Sequence, residues 1–564
     1  MLDGFDPATI PDESLRTIVR FLMNQVEALT ATVRQHAEEI QRLRDENNHL
    51  RGEQGKPQIL PVTRPGNISS EAERASPTPR TKRGKQTTRS IDRTEVCRVA
   101  PHLLPPDAQF KGYQRVIVQD IRLTTETICF RKEKWYAPSA KQTYLAPLPA
   151  GYGGQFGPGV NALAFTLAFE TGLSEPKILA LFRLASMQIS AGQISHILHA
   201  VGASFASERA AILAAGLKSS PWHHIDSTST RVAGTNQQCH ILTNPLYTVY
   251  TTTPHRNRLT VLDVLRGGAP RQFWLDHTTE QLMRLMDVSA RAQRATLAGL
   301  PHRQLLTEHE VDTFLAGYDQ HVKRYTHKWI KDALAITAYH VQRDPPLPVI
   351  PLLVCDDAPQ WAMVTEELAL CWIHDGRAYK RLEPRFDHHR QLRDAFLQRY
   401  WDFYRELRVF QQAPTPAEAE RLRGRFRDLV ATRTGYAALD ARIGITSEKR
   451  RGLLMVLEHP EVPLHNNPAE LGARRRVRKR DVSFGARTAT GARLWDIGHT
   501  LTATAQQLNI NFYHYVYDRL GLHRLPSLSS LITERAASLM LGGSWENRLE
   551  RPAWKPTPVH MWHG

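Results

Sequence analysis

The chain has 564 residues, with 73 Lys and Arg against 56 Asp and Glu, which gives a formal net charge of +17. Its composition, 41% hydrophobic and 23% charged, is that of a globular protein long enough for several domains. No apolar run approaches the ~20 residues of a membrane-spanning helix, and the acidic N-terminus is unlike a secretory signal. Five scattered cysteines argue against a disulfide framework. We therefore expect a cytoplasmic protein without a membrane partner.

Charge is distributed unevenly along the chain. Residues 1–50 carry nine acidic and five basic side chains, whereas 51–95 carry ten basic and five acidic ones. Residues 474–493 carry eight basic side chains and one acidic one. Dense positive charge favours a polyanionic partner, because phosphate neutralisation releases counterions. A solvated surface is the alternative, and for 51–95 taken alone it is the favoured one.

Residues 15–50 carry a heptad repeat over five heptads. Its a positions are mostly β-branched and its d positions mostly leucine, a combination that favours a parallel two-stranded coiled coil. The a positions are Val19, Val26, Val33, Ile40 and Asn47, and the d positions are Leu15, Leu22, Leu29, His36, Leu43 and Leu50. We expect a homodimer or higher oligomer through this segment, rather than an amphipathic helix packed on its own domain.

Residues 51–95 are proline-rich and poor in apolar side chains, which predicts a linker. Within it Lys82, Arg83 and Lys85 could follow a DNA backbone, although a plain spacer is an equal alternative. Short apolar alternations then predict a small β-containing module over 96–150.

Two helical patterns separated by a short turn follow, within 151–218. Ser174 is placed to cap the first helix, and Ser190 opens the second through a capping box with Gln193. This arrangement is typical of a helix-turn-helix, in which outward-facing Gln193 and His196 would contact DNA. An ordinary helical hairpin is an equal alternative.

From residue 222 the pattern changes to strands rich in Val, Ile, Tyr and Thr, followed by a helical stretch and another strand. We predict three strands at 222–232, 239–252 and 259–265, a helical region at 278–340 and a buried fourth strand at 349–354. This is the element order of a ribonuclease-H-like core. Asp226 lies within the first strand, and Asp356 and Asp357 directly follow the fourth, where open α/β sheets collect functional groups.

A third carboxylate would complete a site for two divalent cations, which prefer oxygen ligands and can clamp a phosphoryl transfer. Glu470 is the best candidate, since the basic run that follows it suggests phosphate nearby. That run contains Arg474, Arg475, Arg476, Arg478, Lys479 and Arg480, all expected to bind DNA. Asn467 would cap the helix and Pro468 would begin it; in the alternative interpretation, Glu470 merely satisfies the cap.

Several fragments resemble the insertion-sequence-66 family of DDE transposases. The C-terminal ones are Pro463-Leu-His-Asn-Asn-Pro-Ala-Glu470, Arg478-Lys-Arg-Asp-Val-Ser-Phe-Gly485 and Thr490-Gly-Ala492. Cys371-Trp-Ile-His374 is similar to the family's Cys-Trp-x-His motif. The resemblance is specific over about 222–515. The order of coiled coil, basic linker and helical region before the core also agrees with that of the family.

The resemblance implies that Asp226, Asp357 and Glu470 hold two Mg²⁺ (or Mn²⁺). This chain has Asp357-Ala-Pro where the family has Asp-Gly-Tyr, which leaves Asp356 as an alternative and Asp375 as a less favoured one. It also implies a bacterial, nucleoid-associated transposase that cleaves and transfers DNA strands. The implied partners are terminal inverted repeats, target DNA and helper proteins of the same element. A non-catalytic DNA-binding regulator and a ribonuclease-H-like nuclease are the alternatives.

Two further features carry a structural and a functional interpretation. Cys371 and His374 could be half of a zinc site, with His388 and His389 nearby, although a buried structural pair is favoured. Aromatic residues in an α-helical insertion predicted at 376–460 could stack on bases, although packing of one helix face is favoured. They are Phe396, Tyr400, Trp401, Phe403 and Tyr404.

The expected fold is a multidomain α/β protein. A ribonuclease-H-like core with a helical insertion follows an N-terminal coiled coil and a helical DNA-binding region. The predicted regions before the core are the coiled coil at 1–50, the linker at 51–95, the β-containing module at 96–150 and the helix-turn-helix-like region at 151–218. The core has a first part at 219–375, a helical insertion at 376–460 and a second part at 461–520, and a tail follows at 521–564.

Overall fold

The computed structural model describes the chain except for a few segments. The described residues are 5–50, 91–105, 107–118, 120–121, 123–317, 324–341, 348–539 and 541–545. They form a mixed α/β structure that is mostly helical, with a five-stranded mixed sheet and a long N-terminal helix. Lys82, Arg83 and Lys85 lie outside the described residues. None of the helices in the described part of the chain is long and apolar enough to cross a membrane.

Nineteen α-helices and nine strands are assigned within these residues. The helices are α1 (Glu13–Leu50), α2 (Pro158–Phe169), α3 (Glu175–Leu184), α4 (Ala191–Ser204), α5 (Ala206–Lys218), α6 (Arg258–Leu265), α7 (His277–Leu285), α8 (Ala290–Gly299), α9 (Glu308–Gly317), α10 (Arg324–Val341), α11 (Trp372–Lys380), α12 (Asp387–Gln412), α13 (Pro416–Val430), α14 (Ala437–Glu448), α15 (Arg450–Leu453), α16 (Asn467–Ser483), α17 (Ala489–Gln507), α18 (Phe512–Arg519) and α19 (Leu528–Leu539). The strands are β1 (Lys134–Ala137), β2 (Gln142–Leu145), β3 (Trp222–Val232), β4 (Thr235–Asn244), β5 (Tyr247–Thr253), β6 (Gln272–Trp274), β7 (Leu305–Thr307), β8 (Leu352–Cys355) and β9 (Glu367–Leu370).

The central sheet has the strand order β5-β4-β3-β8-β9. β3, β4 and β5 form an antiparallel meander, and β8 and β9 extend the sheet parallel to β3. Ile225, Leu353 and Cys355 belong to the largest hydrophobic core, whereas Trp222 and Leu352 belong to a smaller one. Since successive side chains of a strand alternate between faces, these two cores lie on opposite sides of the sheet.

The predicted strands are partly confirmed. The first is β3, and the second is two strands, β4 and β5, joined at a turn. The predicted strand at 259–265 is wrong, because this segment is α6. Its residues are buried nearly all round, so hydrophobic periodicity cannot separate helix from strand. The Asn257 side chain settles the local structure by accepting a hydrogen bond from Thr260 N at 2.9 Å. The strand predicted at 349–354 is the shorter strand β8, and the neighbouring strand β9 was not predicted.

One face of α1 packs on its own chain. Met23 and Glu27 are buried there. The Glu27 carboxylate accepts hydrogen bonds from Arg385 N at 2.8 Å and Phe386 N at 3.2 Å, just before α12 begins. It also accepts one from His389 Nδ1 at 3.2 Å. A carboxylate at a helix N-terminus satisfies orphan amide groups, so Glu27 anchors α1 to the helical insertion.

The heptad face of α1 is exposed. Apolar heptad side chains with 38–67% exposure are Leu15, Leu22, Val26, Leu29, Val33, Ile40 and Leu43. Met23 and Glu27, which dock on the chain, occupy e and b positions of the repeat, outside the stripe of a and d positions. The prediction that α1 pairs with a second copy stays a prediction.

The aromatic residues of the insertion pack around Trp372. Tyr400 and Phe403 lie 5.1 Å and 5.6 Å from its indole ring, and both are buried. Phe396 and Tyr404 are also buried, and Trp401 is half-buried. The favoured interpretation, packing of one helix face, agrees with this arrangement.

The helices α3 and α4 begin where the sequence predicts. Ser190 Oγ accepts a hydrogen bond from Gln193 N at 3.2 Å, whereas the Ser174 side chain makes no such capping bond. His196 is exposed and Gln193 is half-buried. Their contact with DNA stays a prediction. Within the predicted β-containing module, the described residues form the hairpin of β1 and β2.

Candidate active site

Two acidic residues, Asp226 in β3 and Asp356 directly after β8, lie at the same level of neighbouring strands. β3 and β8 are parallel, with His224 opposite Val354. Continuing this register by two residues brings Asp226 level with Asp356, directly after β8. The two carboxylates are close enough to interact, because the negative charge of Asp356 raises the pKa of Asp226.

Asp226 is a buried carboxylate with two other acidic groups near it. Its pKa is raised to about 7, mainly by burial. A hydrogen bond from Ser227 N at 2.7 Å lowers the pKa, whereas the negative charges of Asp356 and Glu470 raise it. Mutual repulsion of this kind disfavours full ionisation in the absence of a compensating cation. The arrangement is therefore suited to a group of positive charge.

Asn466 attaches the start of α16 to β3. This side chain is fully buried; its amide nitrogen donates to Ile225 O at 2.8 Å, and its oxygen accepts from His224 Nδ1 at 3.0 Å. Burial lowers the pKa of His224 to about 3, so the imidazole is neutral at physiological pH. α16 begins at Asn467, one residue before the predicted start, and Asn466 is its N-cap residue.

A close approach further along α16 brings Glu470 to the level of Asp226. Ile241 is the cross-strand partner of Asp226. A Cβ added to Gly472 would lie only 2.7 Å from Ile241 Cγ2 and 3.2 Å from the Tyr250 hydroxyl. Any larger residue at position 472 would displace α16 from β4, so glycine allows the helix to cross this strand beside Asp226. Glu470 is two residues from the crossing.

The Glu470 side chain contacts basic groups of α11. Glu470 Oε2 accepts a hydrogen bond from Arg377 Nη2 at 3.0 Å, and Oε1 lies 3.6 Å from His374 Nδ1. Arg377 Nη1 lies 3.2 Å from His374 Nε2. Glu470 Oε1 and His374 Nδ1 are both buried without a hydrogen-bond partner in the described residues. The alternative interpretation, in which Glu470 caps its own helix, does not account for these contacts.

Cys371 adjoins the same carboxylate. Ligand atoms of Cys371, His374 and Glu470 lie within 4.8 Å of one another, a set that could hold a metal ion. However, the Cys371 sulfur accepts a hydrogen bond from Asn466 N at 3.3 Å, and burial raises its pKa to about 12. Cys371 N also donates to Cys355 O at 3.0 Å. These contacts agree with the favoured structural role, and the zinc site stays a prediction.

Asp357 and Asp375 have other partners. Asp357 is exposed and forms an ion pair with Lys449. Asp375 is buried, pairs with Arg442, and accepts hydrogen bonds from Thr446 Oγ1 at 2.8 Å and the Tyr400 hydroxyl at 3.1 Å. Lys449 Nζ lies 3.6 Å from Asp375 Oδ1, so Asp375 serves the packing of the insertion.

Two members of the basic run are buried, so the expectation that the whole run binds DNA is wrong for them. Arg476 is 1% exposed and forms a buried ion pair with Asp496. Lys479 is 7% exposed and donates to the carbonyl oxygens of Ala168 and Leu173 at 3.0 and 2.9 Å. A helix in contact with the sheet presents only part of its circumference to solvent, so these two cations stabilise the fold instead.

The remaining members of the run stay candidates for DNA binding. Arg474 and Arg478 are exposed. Arg475 is half-buried and hydrogen-bonds Gln506, and Arg480 donates to Ser229 O at 2.7 Å with 29% of its side chain exposed.

Sequence reasoning missed the groups that position the candidate carboxylates, namely Asn466, Arg377 and Lys449. Asn466 lies inside the quoted Pro463–Glu470 fragment, but its partner His224 is 242 residues away. No spacing rule links positions so distant.

No family model matches the chain, and no solved structure matches it. The chain is similar to an uncharacterized protein, y4jO, of Sinorhizobium fredii (strain NBRC 101917 / NGR234). The two are 29% identical over 330 residues, which is 58% of this chain and the whole of that protein. This likeness assigns neither a family nor an activity.

Proposed function

We propose that the protein is a DDE-type transposase that cleaves and joins DNA strands in a metal-dependent reaction. The observation that carries this proposal is the convergence of Asp226, Asp356 and Glu470 from β3, the end of β8 and α16. The three residues are far apart in sequence and interact electrostatically in the folded chain.

The sheet gives independent support. Three antiparallel strands followed by two parallel strands beside the first is the arrangement expected of a ribonuclease-H-like core. The resemblance to the insertion-sequence-66 family, and the exposed arginines Arg474 and Arg478 beyond Glu470, favour DNA as the substrate. Terminal inverted repeats and target DNA would then be its partners.

The donor set fits Mg²⁺ or Mn²⁺. Carboxylate oxygens are the ligands these cations prefer, and one oxygen of Glu470 is buried without a hydrogen-bond partner in the described residues. Two bound cations would activate the attacking oxygen and stabilise the leaving 3′-oxygen. Asp226, Asp356 and Glu470 would hold them, while Arg377 orients the Glu470 carboxylate through its hydrogen bond to Oε2.

Asp356 is favoured over Asp357 as the second ligand. Its negative charge raises the pKa of Asp226, and hydrogen bonds from Trp361 Nε1 at 2.5 Å and Ala358 N orient its carboxylate. Asp357, which the family resemblance implies, would point to the other face in a continued strand and pairs with Lys449.

The test is nicking of a supercoiled plasmid that carries the gene with its natural flanks, in Mg²⁺ or in EDTA. We expect Mg²⁺-dependent nicking that Asp226→Asn, Asp356→Asn and Glu470→Gln each abolish, with DNA binding retained. Asp357→Asn is the matched control and should keep most activity. Loss in Asp357→Asn but not Asp356→Asn would reverse the assignment, and no nicking by the unaltered protein would favour the regulator. Nicking without strand transfer would favour the nuclease.

We also propose that α1 pairs with α1 of a second copy. Its exposed heptad face fits a parallel coiled coil, and Glu39 at a g position would meet Arg44 at the following e position of the other helix. Sedimentation equilibrium should give a dimer or larger assembly for the unaltered chain. Leu22→Glu with Leu29→Glu should dissociate it, whereas Ala31→Glu, at an outer position of the repeat, should not. An unchanged mass in the double variant would contradict the pairing.

A further inference from the structure

Phe484, which directly follows α16, has an unusual conformation. Its φ is +56°, in the left-handed region, and its side chain is 91% exposed. Bulky side chains are rare at positive φ, and glycine or asparagine is the usual residue where a helix ends this way. An exposed phenyl ring gains nothing from packing, so the fold itself does not explain this residue.

The backbone around Phe484 is held firmly. Ala486 N donates to Arg231 O at 3.1 Å, and Ala233 N donates to Ala486 O at 2.9 Å, which ties the segment to the end of β3. Gly485 has φ +95°, and a Cβ there would lie 2.8 Å from Arg231 O. Strained conformations that the surroundings impose in this way concentrate at functional positions. The ring therefore projects into solvent from a rigid support.

Exposed arginines lie before and after Phe484 in the chain and on the adjoining strand. Along α16, Arg474 and Arg478 are one turn apart and both exposed. Beyond the ring, Arg487 and Arg493 are exposed, as is Arg231 on the adjoining strand. Asp481 is the sole acidic residue of 474–493. Such a surface complements a phosphate backbone, with one aromatic group among the cations.

The ring lies at a defined distance from the candidate active site. Fourteen residues of helix separate Glu470 from Phe484, which at 1.5 Å per residue is about 21 Å. β3 spans a similar length from Asp226 to Val232, about 20 Å at 3.3 Å per residue. At 3.4 Å per nucleotide, this separation is about six nucleotides.

We propose that Phe484 stacks on an unstacked nucleobase of DNA bound along the exposed side of α16, about six nucleotides from the reacting phosphate. The proposal rests on the proposed function, because it needs DNA on this surface. Every base has an aromatic face, so the contact requires no particular sequence. The flanking arginines hold the backbone, and the ring keeps one base out of its stack.

The test compares the binding of two labelled 20-nucleotide strands to the full chain by fluorescence anisotropy in EDTA. One strand is oligothymidylate and the other carries abasic residues throughout. We expect the unaltered protein to prefer the thymidylate strand about tenfold or more. Phe484→Ala should lose most of that preference, and Phe484→Trp should keep it. Arg478→Ala should weaken both complexes equally and reduce their salt dependence.

Val482→Ala, another exposed side chain near the end of α16, is the matched control. A preference for bases that survives in Phe484→Ala, or an equal loss in Val482→Ala, overturns the stacking proposal. The proposed function then stands or falls on plasmid nicking alone. No binding of either strand, together with no nicking, overturns both.

Discussion

Replacing Asn466 by alanine removes the amide that holds the first turn of α16 against β3. The His224 imidazole, which is buried and neutral, loses its partner at 3.0 Å, and Ile225 O loses its donor at 2.8 Å. Asn466 is fully buried, so both of these atoms lie away from bulk water.

The magnitude follows from two unsatisfied groups. Leaving a buried donor or acceptor without a partner costs about 1–3 kcal/mol each. We expect Asn466→Ala to lower the free energy of unfolding of the region around β3 and α16 by about 2–6 kcal/mol. Since Glu470 lies one turn further along α16, Mg²⁺-dependent nicking should fall as well.

Hydrogen exchange of β3 and α16 amides, with thermal unfolding followed by circular dichroism, measures this effect locally and globally. Asn236→Ala is the matched control, because Asn236 is exposed on β4. Protection of Ile225 and the first turn of α16 should fall only in Asn466→Ala. Equal protection in the two variants would refute the reasoning that this amide positions Glu470.

Three further predictions concern the same region and its surroundings. Arg476→Ala should destabilise the fold by about 3–5 kcal/mol, because Asp496 keeps a buried charge without its ion pair. Arg474→Ala should leave the melting temperature unchanged and weaken DNA binding. Equal melting temperatures of these two variants would contradict this prediction. Gly472→Ala should cost about 1–3 kcal/mol by forcing α16 from β4, and an unchanged melting temperature would show that the helix can yield. The free energy of unfolding should fall on acidification, because burial lowers the pKa of four histidines to between about 3 and about 4. Below pH about 6.5 the unfolded chain binds protons at these histidines that the folded chain does not bind. The loss of stability should therefore be about 1.4 kcal/mol per pH unit for each histidine. They are His223, His224, His240 and His340. A melting temperature equal at pH 7 and pH 5 would contradict that reasoning.

Local patterns predicted much of the secondary structure. β3, α4 and α16 begin at or within one residue of the expected positions, because caps, proline and alternation act over a few residues. The segment that forms α6 was misjudged because burial on nearly all sides removes the periodicity that separates helix from strand. β9 has only four residues, too few for a pattern to stand out.

The sequence alone determined which acidic residues were candidates, that a dense basic run follows Glu470, and that 15–50 carry a heptad repeat. Only the tertiary structure decided that Asp356 lies near enough to Asp226 to raise its pKa while Asp357 pairs with Lys449, since the register of β3 and β8 joins segments about 130 residues apart. It also decided that Arg476 is buried while Arg474 is exposed. Like residues in one run differ because burial depends on what packs against each side of the helix, which the run itself does not encode.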